Sequence, residues 1–168
     1  EITMRRCGKF RREWETSSMK EKSYTPENYP ILRYGDVLLM LAEAENEAHQ
    51  GPTDLAYECI NEIRQRAGIS KLEGLSYTDF QQAVRDERAR ELCFESLRKY
   101  DLVRWGIYVE AVHDKLGAAT QDKRWATGNQ FIGARDYAAR TQEKHQFLPI
   151  PTKELDVNGK LEQNKYWQ

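Results

Sequence analysis

The chain has 168 residues, 32% of them charged, and its 26 lysines and arginines nearly balance 27 aspartates and glutamates, for a formal net charge of −1. A chain of this length can bury on the order of 70% of its unfolded surface in one domain, yet a mean hydropathy of −0.85 is polar for a self-contained globule. Near-neutral charge without a basic block argues against nucleic acid, and the longest apolar run, Val37 to Ala42, is far too short to span a bilayer.

Residues 1–29 are the least patterned and read as an extended N-terminal segment. Lys9 to Glu15 alternates loosely and suggests a minor β-strand, followed by a polar loop from Thr16 to Asn28. Pro30 opens a helical region, 30–168. In the first helix, about Tyr34 to Gln50, Val37, Leu41, Ala44 and Ala48 step by four, three and four, and Leu38 and Ala42 widen the stripe. Gly51-Pro52 breaks the chain, and Thr53 is placed to cap a second helix from Asp54 to Ala67. There Ala56, Ile60, Ile63 and Ala67 repeat the spacing, and Gly68 stands at a C′ position. So short a connection makes the two helices antiparallel neighbours, a tetratricopeptide-like hairpin. One hairpin cannot bury its own faces, because stacked repeats share their core. The further repeats are therefore expected upstream of Glu1, and a first residue that is not Met reads as a trimmed piece of a longer protein.

Thr78-Asp79-Phe80-Gln81 has the form of a capping box and starts a third, long helix. Unbroken to Arg104, it extends about 39 Å. A shorter helix, Ile107 to Leu116, follows Gly106. From Gly117 to Lys144 the periodicity is lost, which predicts a long irregular loop region of the kind that often carries function. Phe147 to Pro151 must be extended, Thr152 caps a short turn, and Asn158 to Gln168 reads as an ordered wrap. The fold class is all-α with long loops.

The third helix carries Arg88, Glu91, Glu95 and Arg98 on the face that begins with Phe80 and Val84. That stripe is either a satisfied buried ion network or a solvated face with local pairs. In the first case Asp36 or Glu43 faces one of Arg88, Arg90 or Arg98. Glu87 and Glu91 lie one turn apart, as a glycosidase pair could. The arginines around them hold both ionised and leave no acid, which argues against an enzyme. Glu110-x-x-His113 has one half of a di-iron spacing, but the other half is missing, so no metal or cofactor is expected. Cys59 and Cys93 read as buried free thiols, with a disulfide between them as the alternative in an oxidising compartment. Cys7 follows Met4-Arg5-Arg6 with no apolar segment and is not a lipidation cysteine.

For binding, the loop region gathers Trp125, Asn129, Gln130, Phe131, Arg135 and Tyr137, the mixture of rings and polar groups that a sugar needs. Trp14, Tyr24 and Tyr29 are further candidates. The same aromatics could instead pin the loop to the helices.

Four ordered runs carry a family resemblance. Glu87 to Trp105 (Glu-Arg-x-x-Glu-Leu-x-Phe-Glu-x-x-Arg-x-x-Asp-Leu-x-Arg-Trp) resembles the signature of the SusD/RagB family. Leu32 to Ala44, Ile60 to Gly68, and Phe147 to Pro151 with Glu154, Asn158, Gln163 and Asn164 resemble three further family segments. The similarity runs from about Lys9 to the C-terminus. Ser96 is a departure, since many members have Gly after the Phe-Glu pair. The resemblance implies a non-catalytic lipoprotein on the outer-membrane surface that binds glycans or other nutrients. It would deliver them to a SusC-type TonB-dependent transporter, its lipid anchor lying outside this chain. Asp36, Glu43, Glu87, Arg88, Glu91, Glu95, Arg98, Asp101 and Arg104 are then read as a structural charge network. The rival reading is a tetratricopeptide-like protein–protein interaction module.

Overall fold

The computed structural model describes residues 8–16, 25–117 and 129–168, with Gly117 and residues 129–131 described by backbone alone. The described residues up to 98 form one compact unit, and those from 99 onward form another.

The first unit is built on three helices. α1 spans Tyr34–His49, α2 Asp54–Arg66 and α3 Tyr77–Glu91, and each packs on the other two. Gln50 adopts a left-handed conformation (φ 54°) to end α1, and Thr53 accepts the Ala56 N–H at 3.1 Å to start α2. Gly68 (φ 72°) closes α2 with Ile69 N–H donating to the Arg64 carbonyl, the six-to-one bond of a Schellman turn. The core between the helices is Leu38, Leu39, Ala42, Ala56, Ile60, Ile63, Phe80 and Val84, with Tyr57 edge-on to Phe80 at 5.0 Å. Asn61 pins the connection to α3 by pairing with both backbone groups of Leu72.

Four local expectations are corrected here. Among the described residues there is no strand; Arg12–Trp14 is a single 3-10 turn, and the segment is fastened by side chains, Lys9 to Glu95 and Phe10 stacked on Tyr29 at 5.9 Å, rather than by a partner strand. The buried face of α1 is Leu38, Leu39, Ala42 and Asn46, whereas Val37 and Leu41 are about two-fifths exposed (40% and 38%). The N-cap of α3 is Ser76, which accepts the Asp79 N–H at 3.2 Å, two residues before the Thr-x-x-Gln pattern. Finally, the long helix breaks after Glu91 and resumes as α4, Arg98–Arg104.

The break has a chemical cause. Ending α3 frees its last carbonyls, and such groups need new donors. Arg33 and Lys9 both donate to the Glu91 carbonyl, at 2.5 and 2.6 Å, and Tyr29 Oη donates to the Glu95 carbonyl at 2.6 Å. The turn itself passes through Phe94 (φ 66°) and Ser96 (φ 61°), both left-handed. Ser96 is the position where the family resemblance expects Gly, the residue that adopts this conformation without steric cost.

The charged stripe of α3 is a buried ion network. Asp36 lies 2.8 Å from Arg88, both side chains under a tenth exposed (8% and 5%), a contact of charge rather than an aligned hydrogen bond. Glu87 meets Arg64 at 2.8 Å and Arg90 at 3.5 Å. Glu91 is held by Arg33 and Arg66, each at 2.5 Å, and Glu95 by Arg33 at 2.7 Å and by Lys9. Arg98 donates to the Arg85 carbonyl at 3.2 Å, Asp101 pairs with Arg104 at 3.0 Å, and Glu43 is half-buried on α1. Gly35 lies against this cluster: a Cβ there would sit 2.7 Å from Arg33 Nη1 and 3.1 Å from Glu91 Oε1, so the paired ends of those side chains would have to shift. Burial alone would raise the Glu91 and Glu95 carboxyls. Hydrogen bonds from Arg66 and Arg33 to Glu91, and from Arg33 and Lys9 to Glu95, outweigh it and hold both below their ordinary value of 4.5.

Cys59 is buried and free, its thiol pushed up by burial first and then by Glu62, Glu58 and Glu45. Cys93 is also free but exposed, not buried, because it falls in the turn after α3.

In the second unit, α5 (Tyr108–Ala111) runs directly into a π-helical turn, Val112–Gly117. Where a loop is predicted there is a helix, α6, Asn129–Arg140, followed by a 3-10 turn, Glu143–Gln146. Its inward positions are small or polar, Ala134, Ala138 and Thr141, so the spacing of four and three carries little hydrophobic contrast in the sequence. Leu102, Tyr108, Val112 and Ala138 form the core. His113, the lone histidine of the Glu-x-x-His spacing, is 2.8 Å from the Thr141 carbonyl. The final helix, α7, is Thr152–Val157. Gln163 then bonds both backbone groups of Ile150, at 2.8 and 2.9 Å, and Asn164 donates to the Leu148 carbonyl at 2.7 Å. These side chains take the place of a paired strand and fasten the tail to the proline-bounded segment.

Replacing Asp36 by Ala breaks the buried Asp36–Arg88 pair, a change that costs about 3–5 kcal/mol; urea unfolding of Asp36→Ala measures it, and Asp36→Leu combined with Arg88→Met recovers most of the loss. Ser96→Gly relieves a left-handed serine and raises stability by up to about 1 kcal/mol, read as a shift of the same midpoint. Because the folded carboxyls of Glu91 and Glu95 lie below 4.5, the unfolded chain takes up protons first as pH falls. Their stabilisation is therefore complete above that value and lost as pH drops through the lowered folded values. An acid titration of stability shows this fall, and Glu91→Gln, with lower stability at neutral pH, flattens it.

Candidate functional site

The described residues from 99 onward enclose a cleft of about 360 Å³ with an aromatic wall. α5 supplies Tyr108, α6 supplies Tyr137 and Arg140, the following 3-10 turn supplies His145, the extended segment supplies Phe147 to Pro149, and the tail supplies Trp167. Phe147 stacks on Tyr166, with ring centroids 6.1 Å apart, and each of the other rings is oriented by a polar tether. Tyr108 and Tyr137 share a short hydroxyl–hydroxyl hydrogen bond; burial, then that bond, push the Tyr108 phenol up to about 12. Trp167 Nε1 donates to the carbonyls of Lys144 and Phe147 at 3.0 and 3.1 Å. His145 meets the indole edge-on at 6.1 Å, and its Nδ1 accepts the Gln142 N–H at 2.8 Å, which leaves Nε2 to carry the proton of the neutral ring. Thr141 is buried and donates back to the Tyr137 carbonyl at 2.7 Å, closing α6 beneath the cleft.

Rings held by their polar edges present flat apolar faces beside Asp136, Arg140 and Thr141, the pairing of surfaces suited to a molecule with an apolar face and polar rim. Among the described residues no group of three His, Cys, Asp or Glu side chains is placed to hold a metal, and no helix is long and apolar enough to cross a membrane.

Of the residues proposed from the sequence, Tyr137 lines this cleft. Arg135, on the same helix, points mainly to solvent and approaches Asp136 at 4.0 Å. Trp14 belongs to the first unit, is 60% exposed, and lies under the Arg11 guanidinium at 5.5 Å. Trp125 and Tyr24 lie outside the described residues, as do the side chains of Asn129, Gln130 and Phe131. Tyr108, Arg140, His145 and Trp167 were not foreseen. Their signal was present but split: Tyr108 sat in a helical pattern, and Trp167 in a tail read only as a wrap.

A family model described as the SusD family matches residues 1–167. The chain belongs to the SusD family. A SusD-like protein of Formosa agariphila, P25, is 40% identical over 80% of this chain, which spans 23% of that relative. A solved SusD homolog from Bacteroides thetaiotaomicron aligns over 91% of this chain and 30% of its own, at 36% identity and a TM-score of 0.72. A SusD superfamily protein from Bacteroides vulgatus aligns over 87% and 28%, at 30% identity and a TM-score of 0.62. The all-α fold is thus shared with solved SusD-family structures, and the chain spans about a quarter of the curated relatives it matches. Three of the runs that carry the resemblance are those that supply the ion network. Arg33 and Asp36 come from the first, Arg64 and Arg66 from the second, and Glu87, Arg88, Glu91 and Glu95 from the signature itself.

Proposed function

We propose that the protein of which this chain is part binds glycans or related nutrients at the bacterial outer-membrane surface and delivers them, unhydrolysed, to a SusC-type TonB-dependent transporter. Membership of the SusD family supports this reading, and the aromatic cleft carries it at the level of the site. Tyr137 and Trp167 are fixed by hydrogen bonds at their edges, Tyr137 to the buried Tyr108, so their faces are available for a sugar ring without a large ordering cost. Trp125, Asn129, Phe131, Arg135 and Trp14 remain proposed contributors beyond this cleft. Attachment is through a lipid anchor outside this chain. Catalysis is not part of the proposal: Glu91, one of the paired carboxylates of α3, is held ionised by Arg33 and Arg66, and Glu87 is committed to Arg64 and Arg90, so neither acts as a general acid.

A second reading, a tetratricopeptide-like module that binds a protein segment, draws on the exposed apolar stripe Tyr34, Val37 and Leu41 of α1, flanked by Ile31 and Leu32. The two readings separate by which surface responds to substitution.

In calorimetric titrations of the full-length protein with an oligosaccharide panel, Trp167→Ala and Tyr137→Ala each weaken binding about tenfold, equivalent to about 1.4 kcal/mol. Two variants are needed because Trp167 also ties down the tail. Unchanged affinity in both, with circular dichroism unaltered, removes the cleft from the binding site.

A further inference from the structure

The cations on the cleft wall are held differently from the arginines that pair with buried or half-buried acids. Arg33, Arg64, Arg66, Arg88 and Arg104 each reach a carboxylate at 3.0 Å or less. Lys99 and Arg140, both on the cleft wall, form no ion pair with a carboxylate of the described residues. Lys99 Nζ instead lies 5.3 Å from the centroid of the Tyr108 ring, and Lys144 Nζ lies 5.0 Å from that of Trp167. The acid of the wall, Asp136, has Arg135 at 4.0 Å to draw on its charge. His145, with Nδ1 already used as an acceptor, contributes an N–H at Nε2.

A cleft in a protein of near-zero net charge therefore carries an excess of positive charge on an aromatic floor. Its volume of about 360 Å³ falls in the range of small-molecule sites, about 300–1,000 Å³. A neutral sugar would use the rings and leave both cations without a counter-charge. An anionic ring uses both features: its apolar face stacks, and its charge meets the guanidinium fork, whose two parallel N–H groups match the oxygens of a carboxylate or sulfate.

We propose that this cleft takes an acidic sugar, a ring bearing a carboxylate or a sulfate ester, with the anion held by Arg140 and Lys99 and the ring face on Trp167 or Tyr137. This rests on the nutrient-binding reading above and names the chemical class of its ligand. His145 adds a neutral donor from Nε2 to the same anion or to a ring hydroxyl.

The test titrates the full-length protein with three probes of equal length: a neutral galacto-oligosaccharide, an oligogalacturonate, and a sulfated galacto-oligosaccharide. Binding of the better acidic probe is about tenfold tighter than that of the neutral one and weakens as salt is raised past about 0.15 M, where the screening length is about 8 Å. The comparison of the two acidic probes shows which anion the site prefers. Arg140→Gln loses about tenfold in affinity for the acidic probe, and Arg140→Lys, which keeps the charge but not the fork, retains part of it. Equal binding of neutral and acidic probes overturns the proposal, as does unchanged affinity in Arg140→Gln; in both cases glycan capture stands. Failure of the full-length protein to bind any carbohydrate across a broad glycan array overturns both this proposal and the nutrient reading.

Discussion

The first unit depends on how the end of α3 is charged. Four acids, Asp36, Glu87, Glu91 and Glu95, lie mostly out of water and are met by Arg88, Arg64, Arg33, Arg66 and Lys9. A cluster of this kind adds less stability than its list of contacts suggests, because every ion has first to be stripped of water. What it supplies is specificity: α1, α2 and the N-terminal segment each bring a cation or an acid that fits one register of α3. A slip of one residue in any of them leaves a charge buried and unpaired, which is far more costly than a lost apolar contact. The glycine at position 35 lies against the same cluster, where a Cβ would make the paired ends of Arg33 and Glu91 shift.

The network also explains why the signature run is not one helix. Continuing α3 would take up the Glu91 and Glu95 carbonyls, which instead receive Arg33, Lys9 and Tyr29. The chain pays for the turn with two left-handed residues, Phe94 and Ser96. In the second unit the same principle operates without charge. Gln163 and Asn164 satisfy the backbone of the Leu148 to Ile150 segment, and Trp167 does so for Lys144 and Phe147. The side chains that complete the fold there also orient the cleft, so the indole is anchored at one edge while its face stays open to the wall.

Much of this architecture was legible in the sequence, and the failures have physical reasons. The hairpin boundaries of α1 and α2 were read to within one residue, because Gly51-Pro52, Thr53 and Gly68 are strong local punctuation. The pairing of Asp36 with Arg88 was among the expected partners, since spacing along α3 put Arg88 on the inward face. Its other cations, Arg33, Arg64, Arg66 and Lys9, were missed although three of them stand in the quoted motifs: charge lies outside hydrophobic periodicity, and their partners are 23 to 86 residues away. α6 was invisible because its buried positions are alanine and threonine. The cleft was half seen. Tyr137 was named within an aromatic run, but Tyr108 and Trp167 reach it only through tertiary folding, which no local window contains.

The chain belongs to the SusD family and spans about a quarter of the length of its curated relatives, and its edge-tethered aromatic cleft is the site on which the proposed nutrient binding rests. The most direct test is a crystal structure of the full-length protein soaked with a bound oligosaccharide. The account predicts a sugar ring against Tyr137 and Trp167 with a polar group toward Arg140. A cleft filled by the protein's own polypeptide, with the sugar bound elsewhere, would contradict it.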